Sequence, residues 1–100
     1  MIERVVLVKL SDEHAHPAGR EAIAAEARRV FPTLPGVVGF HAGVPADAAA
    51  ESSWDLSLVV RFERIEDVAV YLPDPGHRAF VDTWLNPRSE CKKAWNFEIS

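Results

Sequence analysis

From Trp54 to Phe62 every second side chain is apolar: Trp54, Leu56, Leu58, Val60 and Phe62 stand against Asp55, Ser57, Val59 and Arg61. A period of two sends successive side chains to opposite faces of a strand, so this stretch predicts a strand with one face on a core. A strand of this kind needs partners, and three further stretches supply them. Ile2 to Leu10 is dense in β-branched and aliphatic residues on both of its faces, which predicts a central strand. Val37 to Val44 alternates, with Val38, Phe40, Ala42 and Val44 on the richer side. Ala94 to Ile99 alternates again, and Trp95, Phe97 and Ile99 are expected to face inward, Asn96 and Glu98 outward.

Helical spacing fills the intervals. Pro17 to Phe31 carries Ile23, Ala27, Val30 and Phe31 at helical spacing, with Pro17 suited to a first helical turn and Pro32 to Gly36 ending the run. Its alanines give a thin inner face, which either packs very close to the sheet or leaves a cavity beneath the helix. Ile65, Val68, Ala69 and Leu72 form a second helical stripe. After the break Pro73 to Gly76, the residues His77, Phe80, Val81 and Trp84 form a third, closed by Asn86 and Pro87. The order strand, helix, strand, strand, helix pair, strand predicts an α+β fold, a ferredoxin-like βαββαβ antiparallel sheet with helices on one face, in one domain spanning 1–100. The other face then carries Val5, Leu7, Val37, Gly39, His41, Asp55, Ser57, Val59, Arg61, Asn96 and Glu98. A mixed, partly apolar sheet face predicts a homodimer that lays two sheets together.

Composition narrows the partners. Hydrophobic residues make up 48% and charged residues 26%, as in a folded domain. The net charge is -4, and no run of Lys and Arg forms a stripe for phosphates, so nucleic acid is not an expected partner. No apolar run approaches the roughly 20 residues that span a bilayer, and no secretory signal pattern opens the chain, so the expectation is a cytoplasmic protein without a membrane partner. Cys91, the single cysteine, has no internal disulfide partner and reads as a bystander.

Candidate chemistry gathers at Tyr71, Leu72, Pro73, Asp74, Pro75, Gly76, His77. The turn folds the chain back so that a tyrosine ending one helix meets a histidine opening the next. On an apolar stripe with Phe80 and Trp84, a neutral His77 can take a proton from a carbon flanked by two carbonyls, with Tyr71 holding the developing oxyanion. The competing reading makes His77 structural, its ring bonded to a backbone carbonyl, with Tyr71 capping the core. Arg4 shares strand parity with Val6 and Val8 and can bind an anion or enolate at the mouth of the same space, or turn to solvent and pair with a carboxylate. The expected ligand wall is Arg4, Val6, Val8, Leu58, Val60, Phe80 and Trp84. His14 and His16 lie two apart in a polar loop without a third ligand in reach, so no metal is expected, and His41 falls in the expected dimer interface beside Asp55 or Arg61.

These residues resemble the stress-responsive dimeric α/β-barrel (Dabb) domain family over almost the whole chain. The resemblance rests on the strand ending Val8, Lys9, Leu10; the Leu34, Pro35, Gly36, Val37 turn; the Phe62, Glu63 exit into a helix; the Tyr71 to His77 turn; and the closing Trp95, Asn96, Phe97, Glu98. It implies two ferredoxin-like subunits in one eight-stranded barrel with the helices outside. Some related proteins are polyketide cyclases that close a ring on a poly-β-ketone without metal or organic cofactor, using a tyrosine and a histidine matched here by Tyr71 and His77. Arg4 and Asp74 stand where the family commonly has histidines. The resemblance thus implies a small-ligand-binding dimer without cofactor, or a cofactor-independent cyclase or isomerase of a β-keto substrate; a cofactor-free monooxygenase shares the architecture by analogy alone.

Overall fold

The alternating stretches and the helical stretches between them fold as one layer of helices on one antiparallel sheet. The computed structural model describes every residue from Met1 to Ser100. Strand β1 covers Ile2–Leu10, β2 Val37–Gly43, β3 Leu56–Phe62 and β4 Ser89–Glu98, hydrogen-bonded in the order β2-β3-β1-β4. β1 lies between β3 and β4, which accounts for apolar side chains on both of its faces. Helix α1 (Pro17–Val30) continues into a 3-10 turn, Phe31–Thr33. A single turn, α2 (Ala48–Glu51), forms in the loop before β3, where the Asp47 carboxylate accepts from the Ala50 N–H at 2.8 Å. Helices α3 (Ile65–Tyr71) and α4 (Pro75–Phe80) flank the Pro-Gly turn, and α4 runs on through a π turn, Val81–Leu85. No helix is long and apolar enough to cross a membrane.

The core forms where the even-numbered side chains of β1 and β3 meet the helices. Val8, Leu10, Leu56, Leu58, Val60 and Phe62 are buried against Ile23, Ala24 and Ala27 of α1. The alanine face therefore packs directly on the sheet. His16 starts α1: its Nδ1 accepts from the Gly19 N–H at 3.1 Å, so this histidine is a helix cap. The turn before β2 requires Gly36, whose φ of 77° is strained for any residue with a Cβ, and a Cβ there would lie 3.1 Å from that of Asp67.

Four expectations are corrected by the packing. Asp55 does not lie on the bare sheet face. It is fully buried at the entry to β3, accepting from the Leu10 N–H at 2.7 Å and from Arg20 Nε at 3.0 Å, because burying a carboxylate demands a cation and hydrogen bonds. Val37 packs on the core and Val38 is exposed, since the register of β2 slips between Val37 and Gly39 and reverses the facing of the first residues. On α3 the inner residues are Val68 and Tyr71, while Ile65, Ala69 and Leu72 are exposed. The largest correction concerns β4. Its pairing sets Asn96 opposite Arg4 and Trp95 opposite Val5, so Asn96 and Glu98 share the helix side and Trp95 and Phe97 join Val5, Leu7 and Val59 on the bare face. Trp95 and Phe97 are 47% and 53% exposed.

Candidate active site

The residues of the site converge because the turn between α3 and α4 is held at both ends. Pro75 fits the first turn of α4, where its missing N–H costs nothing, and the Asp74 carboxylate accepts from the backbone N–H groups of Gly76 (2.9 Å) and His77 (3.3 Å). Asp74 thus fixes the backbone of His77. A side chain on Gly76 would meet Leu34 at 2.9 Å, so the turn sits hard against the end of the loop before β2. The His77 ring is then placed by its own hydrogen bond, with Nδ1 2.9 Å from the Leu72 carbonyl.

A carbonyl oxygen only accepts, so Nδ1 carries the proton and in the neutral ring the lone pair lies on Nε2. Burial holds the His77 pKa below its ordinary value; the Leu72 bond and Asp74 oppose the shift, while Arg78 and Arg4 add to it. His77 is therefore a neutral imidazole with its basic nitrogen unengaged by the protein. Its ring lies against that of Tyr71, with centroids 4.2 Å apart. Tyr71 is 1% exposed and wedged edge-on against Phe62 at 5.0 Å, with Phe31 behind it at 6.3 Å. Phe31 in turn stacks on Phe40 and meets Phe80 edge-on, so rigid aromatic packing aims the tyrosine. Burial raises the Tyr71 pKa far above its ordinary value, with the Arg4 charge only partly offsetting it, so the hydroxyl is a proton donor at neutral pH. No protein group bonds that hydroxyl and no buried polar side-chain atom lacks a partner, so the hydroxyl opens on the cleft that Tyr71 lines.

That cleft, about 270 Å³, runs between β1, β4 and the α3–α4 pair. Its floor is Val6, Leu58 and Ala94, its far wall Phe31, Val81 and Leu85, and its rim Arg4, Arg78 and Lys92. The π turn contributes two of these: its wider winding, closed by the Asn86 N–H on the Val81 carbonyl at 2.8 Å, sets Val81 and Leu85 on one side. Of the residues expected from sequence, Arg4, Val6, Leu58, Tyr71 and His77 meet at the cleft. Val8, Val60 and Phe80 are core residues that do not line it, and Trp84 packs on the Arg88 guanidinium 4.7 Å away instead of filling the space. Arg4 donates to Asn96 Oδ1 at 3.0 Å and has no carboxylate partner. Lys92, Lys93 and Arg78 were not anticipated. β4 begins five residues before its alternation does, and an edge strand written Ser-Glu-Cys-Lys-Lys carries no periodic signal.

The other histidines lie apart from the cleft. His14 is 3.9 Å from Glu13, and no three His, Cys, Asp or Glu side chains cluster as metal ligands. His41 is exposed on the bare face opposite Val59, with Arg61 two residues along β3 and Asp55 buried elsewhere.

A four-stranded antiparallel sheet with helices on one face and a cleft at the α3–α4 turn defines the ferredoxin-like α+β class. The chain belongs to the stress responsive A/B barrel domain (Dabb) family, whose model matches residues 2–94. Among solved structures, an Arabidopsis thaliana protein superposes with a TM-score of 0.83 at 17% identity, over 100% of this chain and 96% of that one. A dimeric ferredoxin-like protein of unknown function from Thermobifida fusca gives 0.82 at 19% identity over 98% and 90%. A hydroxynitrile lyase from Passiflora edulis gives 0.78 at 14% identity over 99% and 93%. At these identities the likeness is one of fold. No curated protein matches the sequence.

Proposed function

We propose that two copies of this chain pair through their bare sheet faces into a barrel, and that each subunit binds a small organic molecule in the cleft, where His77 and Tyr71 move a proton on it. The observation that carries the reading is the unengaged Nε2 of a neutral His77 whose ring lies against that of Tyr71, a tyrosine whose hydroxyl has no protein partner, at a cleft with an apolar floor. The carbon acid suited to this pair is a methylene between two carbonyls. Nε2 takes a proton from that carbon, leaving an imidazolium and an enolate, and the Tyr71 O–H donates to the enolate oxygen. In a cyclisation the enolate carbon bonds to a second carbonyl carbon of the same molecule, whose oxygen takes the proton back from His77. Atoms and electrons balance without an oxidant or reductant, so the step is an isomerisation or aldol-type ring closure. Pairing of two chains is supported by the exposed Trp95 and Phe97 beside Val5, Leu7 and Val59, and by the dimeric relative from Thermobifida fusca.

Hydrogen–deuterium exchange at the central methylene of 2,4-pentanedione, followed by NMR at pH 7 in dilute buffer, tests the chemistry. The wild type is expected to accelerate exchange over buffer. His77→Gln should remove roughly 10²-fold or more of that acceleration, and Tyr71→Phe a smaller share. Unchanged exchange in His77→Gln would end the assignment of the base. A wild type that binds the diketone without accelerating exchange would leave a ligand-binding dimer alone.

A further inference from the structure

The charge around the cleft is at odds with the charge of the chain. The protein carries a net charge of -4, yet none of the 13 residues lining the cleft is acidic and three cations, Arg4, Arg78 and Lys92, edge it; Lys93 also borders it but pairs opposite Leu7 of the bare face. Arg78 is already matched by Asp82 at 2.8 Å on its own helix. Arg4 is not matched: it spends one guanidinium nitrogen on the neutral amide of Asn96 and makes no ion pair, although Arg61 on the opposite face does find Glu3. Lys92 likewise meets only the Asn86 side-chain oxygen. Both side chains leave the sheet on the helix side, since Arg4 lies opposite Asn96 and Lys92 opposite Val8. Arg4 is half-buried at the Tyr71 and His77 end, where its remaining donors make no hydrogen bond to the protein. A half-buried guanidinium without a carboxylate is costly unless something else supplies the acceptor.

We propose that the molecule this cleft takes is a β-dicarbonyl compound with a free carboxylate, the carboxylate held by Arg4 and the dicarbonyl lying between Tyr71 and His77. The inference rests on the small-ligand reading above and deepens it. Its physical content is a charge-assisted, bidentate contact at one end and an apolar floor of Val6, Leu58 and Ala94 along the body of the ligand. Lys92 and Arg78 add positive potential at the rim without holding the carboxylate. The same cations favour the enolate, because a ligand that already carries one negative charge loses a proton only where a second is offset.

The probe is 4,6-dioxoheptanoate, a β-diketone with a remote carboxylate, against its uncharged methyl ester, both titrated into the full-length wild type by calorimetry at low and high salt. The wild type should bind the acid roughly 10- to 100-fold more tightly than the ester, and salt should weaken the acid alone. Arg4→Gln should bring the acid to the level of the ester. Lys92→Gln should weaken the acid by only a few-fold. Equal binding of acid and ester by the wild type overturns the carboxylate assignment while the small-ligand reading stands. Binding of neither overturns both. An Arg4→Gln variant that loses acid and ester alike shows a structural role for Arg4 and also overturns the assignment; the wild-type comparison of acid with ester needs no variant to fold.

Discussion

His77 illustrates how one residue can satisfy a structural and a chemical reading together. Its Nδ1–H bond to the Leu72 carbonyl is what a structural histidine would make, and the same bond leaves Nε2 as the basic atom. The lowered pKa has a consequence for stability. In the unfolded chain the imidazole takes a proton near its ordinary value of 6.5, whereas burial against Tyr71 and Phe31, with Arg78 and Arg4 nearby and the Leu72 hydrogen bond and Asp74 only partly opposing, delays protonation in the folded protein to lower pH. The unfolded state therefore binds more protons between the folded value and about 6.5, and stability falls as the pH drops through that window and is flat for this group above it. Urea midpoints measured from pH 8 to pH 5 should show this fall in the wild type, and His77→Gln should remove its share. A slope identical in both proteins would contradict the assignment. Proton abstraction by neutral His77 should follow the same direction, rising with pH through the lowered value to a plateau.

At the scale of elements, the contact that ties α1 to the sheet is the buried pair Arg20–Asp55, reinforced by the Leu10 N–H and with Lys9 at 4.0 Å. Alternation sets Asp55 in phase with Ser57 and Val59 and so on the bare face, but phase says nothing about what covers the end of a strand. Removing one partner leaves a buried charge and costs more than the pair contributes as a whole. Asp55→Ala is expected to lower unfolding free energy by about 3–5 kcal/mol, while Arg20→Met with Asp55→Leu should recover much of the loss, as measured by denaturant midpoints. A double variant no more stable than Asp55→Ala would show that the pair specifies the position of α1 as well as satisfying itself. The same elements explain why β4 was misread. Its alternation is genuine, but the side facing the helices at that edge is the cleft rim, where Asn96 reaches Arg4, and the apolar set faces the other way.

For the whole molecule, the register of β4 makes the bare face more apolar than the sequence suggested. Val5, Leu7 and Val59 run along the middle strands, and Trp95 and Phe97 add two half-exposed aromatic side chains at the edge. Covering each aromatic contributes about 2 kcal/mol from the area it still leaves in water, which favours the proposed pairing of two sheets. Trp95→Glu with Phe97→Glu should convert a dimer to a monomer by light scattering at micromolar concentration, with the far-ultraviolet circular dichroism of the subunit kept. A wild type that is monomeric under those conditions would end the barrel reading. Retained dimerisation in the double variant would move the interface to another surface.

The amino-acid sequence by itself determined the element types, their order and the ferredoxin-like sheet, because periods of two and of 3.6 are local properties that each segment carries alone. It also determined that Tyr71 and His77 meet, since they lie only six positions apart across a turn of three residues, Leu72 to Asp74. The tertiary structure alone decided which side of β4 is covered, that Asp55 is buried against Arg20, and that unmatched cations gather around the cleft. Those outcomes depend on which strand lies beside which, and residues 4 and 92 come to line one cleft only when the ends of the chain pair.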